Sequence, residues 1–476
     1  SYIDQGLDLL EAVRAAIRRL RGAFAIAVIN AGDPDRIIAA RLGCPLIIGK
    51  GIGENFLASD VLALRLVTDR FIHLEEGDLV DLRPDEIAIW NAEDESVVRT
   101  DVHVTLGEDD TDRGEYRHFM QKEIYQQPQV VRDVLDGRVT KERVLEAAFG
   151  LDAGAVFDNT RAVTIVACGT SFYAGRIARY WIEELVGVPC QVEVASEYRY
   201  RKSAILADSL FITLSQSGET ADTLAALRSA KTQGYLSTLT LCNVPTSTMA
   251  RESDLVLMLN AGSEISVAST KAFVAQLVAF ATLTLLLARR HGLTPEKEAE
   301  IVGALHDLPK LLTSILQLDQ RISGFAEHFV DKHHALFLGR GSLYPLALEG
   351  ALKLKELTYI HAEGYAAGEL KHGPLALVDE AMPVVAIAPN DQLLEKLQSN
   401  LQEVRARGGK LFVFVESGSR VEITEDIRTI ELPSCHPMLA PIAYVLPLQL
   451  LAYHVGVFKG TDVDQPRNLA KSVTVE

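Results

Sequence analysis

The sequence predicts an α/β protein in three parts, a β-rich N-terminal part followed by two parts in which parallel sheets are covered by helices. Three observations predict it. The first ~106 residues hold one helical stretch and then short β segments at close spacing. From about residue 160 the pattern changes to strand, loop and helix in alternation, the signature of a parallel sheet with helices on its faces. That alternation then recurs in the second half. The length of 476 residues, at roughly 150 per domain, agrees with about three domains, and 48% hydrophobic with 23% charged residues describes a chain able to bury a sizeable core.

Taken in order, residues 1–22 (SYIDQGLDLLEAVRAAIRRLRG) form an amphipathic helical pattern. Short β segments follow at 22–30, 35–41, 44–51, 54–60, 70–82 and 86–92, punctuated by turn residues. Residues 107–115 (GEDDTDRGE) are polar and acidic without apolar periodicity, as in an exposed joint between domains. The strand RAVTIVA (161–167) leads through Cys168-Gly169-Thr170-Ser171 into a helix to about 185. SLFITL (209–214) leads through SQSGETA into a helix ending near 234, and YLSTLTLC (235–242) follows. An apolar helix at 272–288 and a helical stretch from 295 to about 329 separate this part from the next strand, HALFLG (334–339). After it come a Gly-rich turn, a long helix to about 360, MPVVAIA (382–388), a helix through 407, and KLFVFV (410–415).

The recurrence has a nearly constant offset. Gly169-Thr170-Ser171 is matched 170 residues later by Gly339-Arg340-Gly341-Ser342, and SLFITL is matched 173 residues later by MPVVAIA. Between them, Ala195-Ser196-Glu197-Tyr198 corresponds loosely to Ala362-Glu363-Gly364-Tyr365. The order and spacing predict a duplicated α/β domain. The boundaries expected are 1–106 for the β-rich part, 107–155 for a linker and joining helices, 156–300 and 301–460 for the two α/β domains, and 461–476 for a C-terminal tail.

Composition excludes several function classes. With 47 Lys plus Arg against 64 Asp plus Glu, the net charge of −17 opposes wrapping of nucleic acid, which needs a cationic excess. A small anion remains compatible, because helix N-termini and hydroxyls hold phosphate inside an acidic protein. The five cysteines are scattered and form no metal-ligand spacing, so no metal site is expected, and they fit a reducing cytoplasm. No signal-peptide pattern opens the sequence. The one membrane-like run, 272–288, is 17 residues long and contains Gln276, Thr282 and Thr284, so a buried core helix is expected and no membrane partner.

The strongest local motif is Ser215-Gln216-Ser217-Gly218-Glu219-Thr220, where a strand ends and a helix begins. Ligands of open parallel sheets bind beyond the carboxyl ends of strands. There, free backbone N–H groups, the positive end of the helix dipole and three hydroxyls make a neutral phosphate cradle. A single such hydroxyl would read as a helix cap; Thr170 and Ser171, on the other strand end of the same domain, add to the phosphate reading. Nucleotide cofactors are not supported, since Gly169 and Gly339-x-Gly341 do not complete G-x-G-x-x-G and no Walker A sequence occurs. Glu349, Lys353 and Glu356 share one face of the helix 345–360, between flanking leucines that leave little room for a solvated face, so a carboxylate there is a candidate proton-transfer base. His372, in Glu369-Leu370-Lys371-His372-Gly373-Pro374, titrates near neutral pH but sits in a loop where histidines are commonly just exposed. The tail 462–476 carries Arg467 and Lys471 without helical or strand periodicity, a composition that ordinarily frays.

Taken together, CGTS (168–171), ASEYRYRKS (195–203), LSQSGETADTL (214–224), SVASTKAF (266–273), HHALFLGRG (333–341), ALEGALKLKE (347–356), YAAGELKHGPLAL (365–377) and KGTDVDQPRNLAKSVTVE (459–476) resemble the bacterial glutamine:fructose-6-phosphate aminotransferase (isomerising) family, the glucosamine-6-phosphate synthases. The resemblance covers essentially the whole chain. It implies two tandem sugar-isomerase (SIS) domains of flavodoxin-like architecture, preceded by a partial β-rich glutaminase domain of the N-terminal-nucleophile (Ntn) type. It also implies that Thr170, Ser171, Ser215, Gln216, Ser217 and Thr220 hold the sugar phosphate, with Val267 and Ala470 lining the pocket. Lys471 matches the family's Schiff-base lysine, whose amine attacks the open-chain C2 carbonyl. Glu356 matches the base that moves a proton between C1 and C2. His372 matches a residue that assists ring opening across a homodimer interface, while Glu349, Lys353 and Arg467 match residues around the same pocket. Fructose 6-phosphate and ammonia from glutamine are the implied substrates, with no metal or organic cofactor.

The other end departs from the family pattern. The family starts with a cysteine nucleophile in the glutaminase domain, whereas this sequence begins with Ser1 and a helical pattern, and 1–106 resembles only the later part of that domain. The expectation is a synthase half without the glutaminase nucleophile, in a sequence shorter than the family's. Two other readings share the fold: a non-catalytic SIS-domain sensor of sugar phosphates, and a phosphosugar isomerase or deglycase. The presence of Glu356, His372 and Lys471 disfavours the first, and the tail and glutaminase-like segment disfavour the second.

Overall fold

A computed structural model describes residues 2–59, 61–64, 67–103, 112–419, 421 and 424–473. Ser1, most of the acidic joint at 107–111 and the last three residues of the tail lie outside the described residues; 112–115 are exposed. The chain divides into two compact units, residues 1–112 with 473–476, and residues 113–472.

The N-terminal unit is built from two antiparallel sheets. One holds β1 (Phe24–Asn30), β2 (Asp33–Leu42), β6 (Leu79–Leu82), β7 (Ile87–Trp90) and β8 (Ser96–Val97) in that order; the other holds β4 (Asn55–Ala58), β3 (Ile47–Lys50), β5 (Arg70–His73) and β9 (Asp101–His103). Side chains alternate across β2: Ala39 packs with Ile48 and Ile72 of the other sheet, while Ile38 and Ala40 pack under Leu9 and Val13 of helix α1 (Leu9–Ile17). The stretch 70–82, expected as one strand, is two strands in different sheets. A turn separates them, in which the Asp78 carboxylate accepts the Glu75 N–H at 2.8 Å and Gly77 takes a φ of 80°.

The second unit contains the duplication. Strands β11 (Cys190–Val194), β10 (Ala162–Ala167), β12 (Ser209–Ser215), β13 (Ser237–Cys242) and β14 (Leu255–Met258) form one parallel sheet. Strands β16 (His361–Ala366), β15 (His334–Gly339), β17 (Pro383–Ala388), β18 (Lys410–Glu416) and β19 (Ile427–Leu432) form another in the same spatial order. Numbered within each repeat, that order is 2-1-3-4-5, the flavodoxin-like arrangement. Central strands β10, β12 and β17 are buried at every residue, as strands covered on both faces must be. One detail of the expected repeat is corrected by register. Ala167 pairs with Val194 and Gly339 with Ala366, so the residues that follow the edge strands correspond, and Ala195–Tyr198 matches the 3₁₀ turn Ala367–His372 rather than residues 362–365.

The helices relevant here, in chain order, are α2 (Phe119–Tyr125), α3 (Gln127–Leu135), α4 (Ala153–Asn159), α5 (Gly169–Trp181), α6 (Ala195–Tyr198), α7 (Ala221–Ala230), α8 (Thr248–Glu252), α9 (Lys271–Arg290), α10 (Pro295–Leu316), α11 (Asp319–Ala326), α12 (Leu343–Thr358), α13 (Leu394–Arg405) and α14 (Ala440–Lys459). The joining helices α2 and α3 are part of the core, with Met120, Ile124, Val131 and Val134 fully buried. The helical stretch expected from 295 to about 329 is divided: α10 ends at Leu316 and α11 starts at Asp319, whose carboxylate pairs with His454 of α14 at 2.6 Å and accepts the Tyr125 hydroxyl at 2.9 Å. Among the described residues, two helical stretches, Lys271–Arg290 and Pro437–Lys459, are long and apolar enough to cross a membrane by length and composition, where the sequence pattern singled out one. Their apolar windows are 100% and 89% buried inside the second unit, which accounts for their apolar character by core packing.

Candidate active site

The leading strand of the first repeat, β10, ends at Ala167. The chain turns through Gly169, at φ 54°, directly into α5, so Thr170 and Ser171 stand in the first turn of that helix. Strand β12 runs beside it and ends at Ser215. The loop 215–220 folds on its own hydroxyls. Ser215 Oγ accepts the Gly218 N–H at 3.0 Å and pairs with Thr220 Oγ1 at 3.0 Å, and Ser217 Oγ accepts the Glu219 N–H at 3.2 Å. Gly218 sits at φ 68°, and a Cβ there would come within 2.2 Å of Ser247 Oγ, so this turn requires glycine. Glu219 accepts the Thr248 N–H at 2.7 Å, which locks the loop to α8. Thr220 then caps α7 with no side-chain bond to the helix, leaving the first-turn N–H groups of α7 directed at the cradle.

The second repeat supplies charge to the same place. Helices α5 and α12 pack together, and Thr170 Oγ1 donates to Glu349 Oε1 at 3.2 Å. Lys353, also fully buried, lies 3.6 Å from Glu349 Oε1 and 2.6 Å from Glu356 Oε2, so one ammonium bridges two carboxylates on one helical face. Glu356 is the most open of the three, at 21% exposure against 0% for Glu349 and 1% for Lys353. Burial pushes the Glu349 carboxyl up to about 8; Lys353 opposes that rise and Glu356 adds to it. Burial alone would lower the Lys353 ammonium, but the two glutamates overcome it and raise its pKa. Among the described residues, Glu349 Oε2 and Gln276 Oε1 are buried atoms without a protein hydrogen-bond partner, while the Gln276 amide donates to Ser171 Oγ at 2.9 Å.

The C-terminal tail completes the cluster. Ser472 Oγ donates to Ser217 Oγ at 3.1 Å, placing the tail on the hydroxyl loop. Lys471 Nζ donates to Glu264 Oε2 at 2.5 Å and to the Ser266 carbonyl at 2.8 Å. Glu264 is fully buried. Burial opposes its ionisation, yet Lys471 and the Ala272 and Thr270 backbone N–H groups hold its carboxyl below the ordinary range. Val267 donates its backbone N–H to the Asp464 carbonyl at 2.9 Å, and Ala470 is exposed beside Lys471.

The structure therefore brings together the hydroxyl groups of 170–171 and 215–220, the Glu349–Lys353–Glu356 face and Lys471. Gln216 is half-buried in the same loop, its carbonyl accepting the Asn243 N–H at 3.1 Å. Two expected residues stand apart within the single chain. His372 is exposed at the end of the 3₁₀ turn Ala367–His372, and Arg467 stacks on the Tyr359 ring, 4.1 Å from its centroid. Sequence reasoning missed Glu264, Gln276, Ser472 and Asp464. Glu264 precedes the SVASTKAF block by two residues and Ser472 directly follows Lys471, but nothing in their local pattern shows that they meet residues 207 and 255 positions away.

Comparison with known proteins places this arrangement. The SIS domain family model matches residues 157–286 and again 328–458, one match per parallel sheet. The glutamine–fructose-6-phosphate aminotransferase [isomerizing] of Pseudomonas aeruginosa is 58% identical over 98% of this chain and 77% of its own length. That of Escherichia coli K12 is 55% identical over 100% of this chain and 78% of its own. Among solved structures, the C-terminal domain of glucosamine-fructose-6-phosphate aminotransferase from Francisella tularensis aligns with a TM-score of 0.73 at 50% identity, covering 75% of this chain and all of that one. With both SIS repeats matched and more than half of its residues shared with these relatives along nearly its whole length, the chain belongs to the isomerising glutamine–fructose-6-phosphate aminotransferase family.

Proposed function

We infer that the second unit converts fructose 6-phosphate and ammonia into glucosamine 6-phosphate. The observation that carries this reading is the convergence of a hydroxyl-lined cradle, the buried Glu349–Lys353–Glu356 face and a tail lysine at the carboxyl ends of β10 and β12. The sugar phosphate sits on Thr170, Ser171, Ser215, Gln216, Ser217 and Thr220, held by hydroxyls and the start of α7 with no help from the chain's acidic net charge. His372 of the partner subunit opens the sugar ring, which makes the working form a homodimer.

Lys471, resting on Glu264, gives up a proton and attacks the C2 carbonyl; water leaves and an imine forms. Ammonia replaces the lysine at C2, and Lys471 is released as the amine. Glu356 then takes a proton from C1 to give an enolamine and returns one to C2, while the C1 hydroxyl proton passes to the nitrogen, leaving the aldehyde at C1 and the amine at C2. Glu349 stays protonated near neutrality and acts as a donor toward the substrate. Val267 and Ala470 line the pocket beside the tail, and Arg467 orients the tail on Tyr359.

The N-terminal unit, with its paired antiparallel sheets, is assigned to part of a glutaminase domain of the Ntn type, residues 1–106 in the proposed division. The two SIS domains follow at 156–300 and 301–460, with the catalytic tail at 461–476, and the protein works in the cytoplasm. The test is product formation from fructose 6-phosphate with concentrated ammonium salt as the nitrogen source, which bypasses glutamine hydrolysis. Glucosamine 6-phosphate is expected; a folded, phosphosugar-binding protein that forms none overturns the reading.

A further inference from the structure

Helix α2 is a seven-residue segment placed between the two elements that hold Lys471. At its start, the Phe119 and Met120 N–H groups donate to the two Asp464 carboxylate oxygens of the tail at 3.0 and 2.8 Å. One turn later, Glu123 accepts the Ile265 and Ser266 backbone N–H groups at 2.5 and 3.1 Å and is also hydrogen-bonded by the Ser266 hydroxyl. At its end, the Gln126 side chain accepts a hydrogen bond from Lys271 Nζ at 2.9 Å, at the start of α9. The tail and the loop are joined directly as well, through the Val267 N–H and the Asp464 carbonyl at 2.9 Å. Lys471 sits inside this frame, because its two acceptors, Glu264 Oε2 and the Ser266 carbonyl, belong to the loop that Glu123 grips.

We propose that Glu123 and Asp464 are positioning residues for Lys471, setting the place of the tail amine from behind the pocket through α2. This rests on the reading of Lys471 as the imine-forming amine. The geometry favours it over simple core packing. Glu123 is 2% exposed, yet its carboxylate is spent on the loop that carries the lysine's partners rather than on its own helix. The charged groups around it are Glu264 on the loop, Lys471 on the tail and, one turn along α2, Lys271 of α9. Burial and the Glu264 charge push the Glu123 carboxyl up to about 7, and Lys471 pulls it back.

The experiment follows borohydride trapping of fructose 6-phosphate by peptide mass spectrometry, as a rate against pH from 6 to 9. The proteins are the wild type, Glu123→Gln, Asp464→Ala and Lys471→Ala. Thermal melting checks folding, and binding of the hexitol 6-phosphate, which has the phosphate but no carbonyl, checks the cradle. Glu123→Gln keeps the shape but loses the charge and one acceptor. It is expected to trap about tenfold more slowly and to lose the inflection near pH 7, with hexitol phosphate affinity unchanged. Asp464→Ala, on the partly exposed tail, is expected to slow trapping similarly while leaving the inflection in place. Lys471→Ala is expected to trap nothing; trapping that persists there sinks the lysine reading itself. If Lys471→Ala is dead while both other variants trap at the wild-type rate and pH profile, α2 has no positioning role and this inference is wrong. A parallel loss of hexitol phosphate binding in Glu123→Gln and Asp464→Ala also overturns it, because the residues would then shape the cradle.

Discussion

Thr170 Oγ1 and Glu349 Oε1 lie 3.2 Å apart, a hydrogen bond between the two halves of the internal duplication. Thr170 stands in the first turn of α5, after the leading strand of the first repeat; Glu349 stands on α12, after the leading strand of the second. The hydroxyl loop and the start of α7 come from the first repeat, and the Glu349–Lys353–Glu356 face comes from the second.

The proposed mechanism assigns Glu356 and Lys471 to different steps. In Glu356→Gln the C2 imine is therefore expected to form, with borohydride still trapping sugar on Lys471, while glucosamine 6-phosphate formation is expected to drop by at least about a hundredfold. General-base contributions are commonly of that size, roughly 10²–10⁴. Simultaneous loss of trapping and product would mean that Glu356 acts earlier, in ring opening or imine formation.

Thr220→Val removes a cradle hydroxyl with little change of volume. A hydrogen bond to a charged group contributes about 1.5–3 kcal/mol, so kcat/KM for fructose 6-phosphate is expected to fall roughly 10- to 100-fold. The loss should appear mainly in KM, because the phosphate is held equally before and during reaction. A loss confined to kcat, measured by initial rates with ammonium, would place Thr220 at the reacting carbons instead.

The Glu349 proton has a signed effect on stability. Its carboxyl is raised to about 8 in the folded chain against an ordinary value of 4.5, so between those pH values the folded state holds a proton that the unfolded state releases. Stability from this group is therefore full at low pH and is lost as pH climbs toward 8. Glu349→Gln is expected to melt higher relative to wild type as pH rises from 5 to 8, and the gap should level off above 8. Melting curves that stay parallel across that range would show that Glu349 does not carry this proton.

His372 is exposed in the single chain and outside the cluster, which matters for a shared site. Mixing unfolded His372→Ala and Lys471→Ala chains and refolding them together should recover activity in the mixed dimers, since one of their two sites then has both intact residues. If His372 serves the site of its own chain, every site in the mixture carries a defect and the ammonium assay stays flat.

Much of this architecture is legible from the amino-acid pattern alone. Buried runs such as AVTIVA and SLFITL, each ending in Gly and hydroxyl residues before a helix, declare parallel strands with a ligand end, because only a strand covered on both faces is apolar without alternation. The recurrence of that pattern at a near-constant spacing declares the duplication, and SQSGET marks the turn from β12 into α7. What the pattern leaves dark are features made by distance. The tail 461–473 has no periodicity of its own, and it is ordered by Asp464 on α2, Ser472 on Ser217 and Lys471 on Glu264. Glu349 and Lys353 read as a helical face, but only the packing of α5 on α12 shows that the face is buried and turned to the other repeat's hydroxyls. Sequence periodicity reports a residue's relation to neighbours within about one helical turn or two strand positions. Burial and electrostatic partnership depend on chain segments that meet after long loops close, and here the tertiary structure alone decided which carboxylates stand behind Lys471 and which hydroxyls face Glu349.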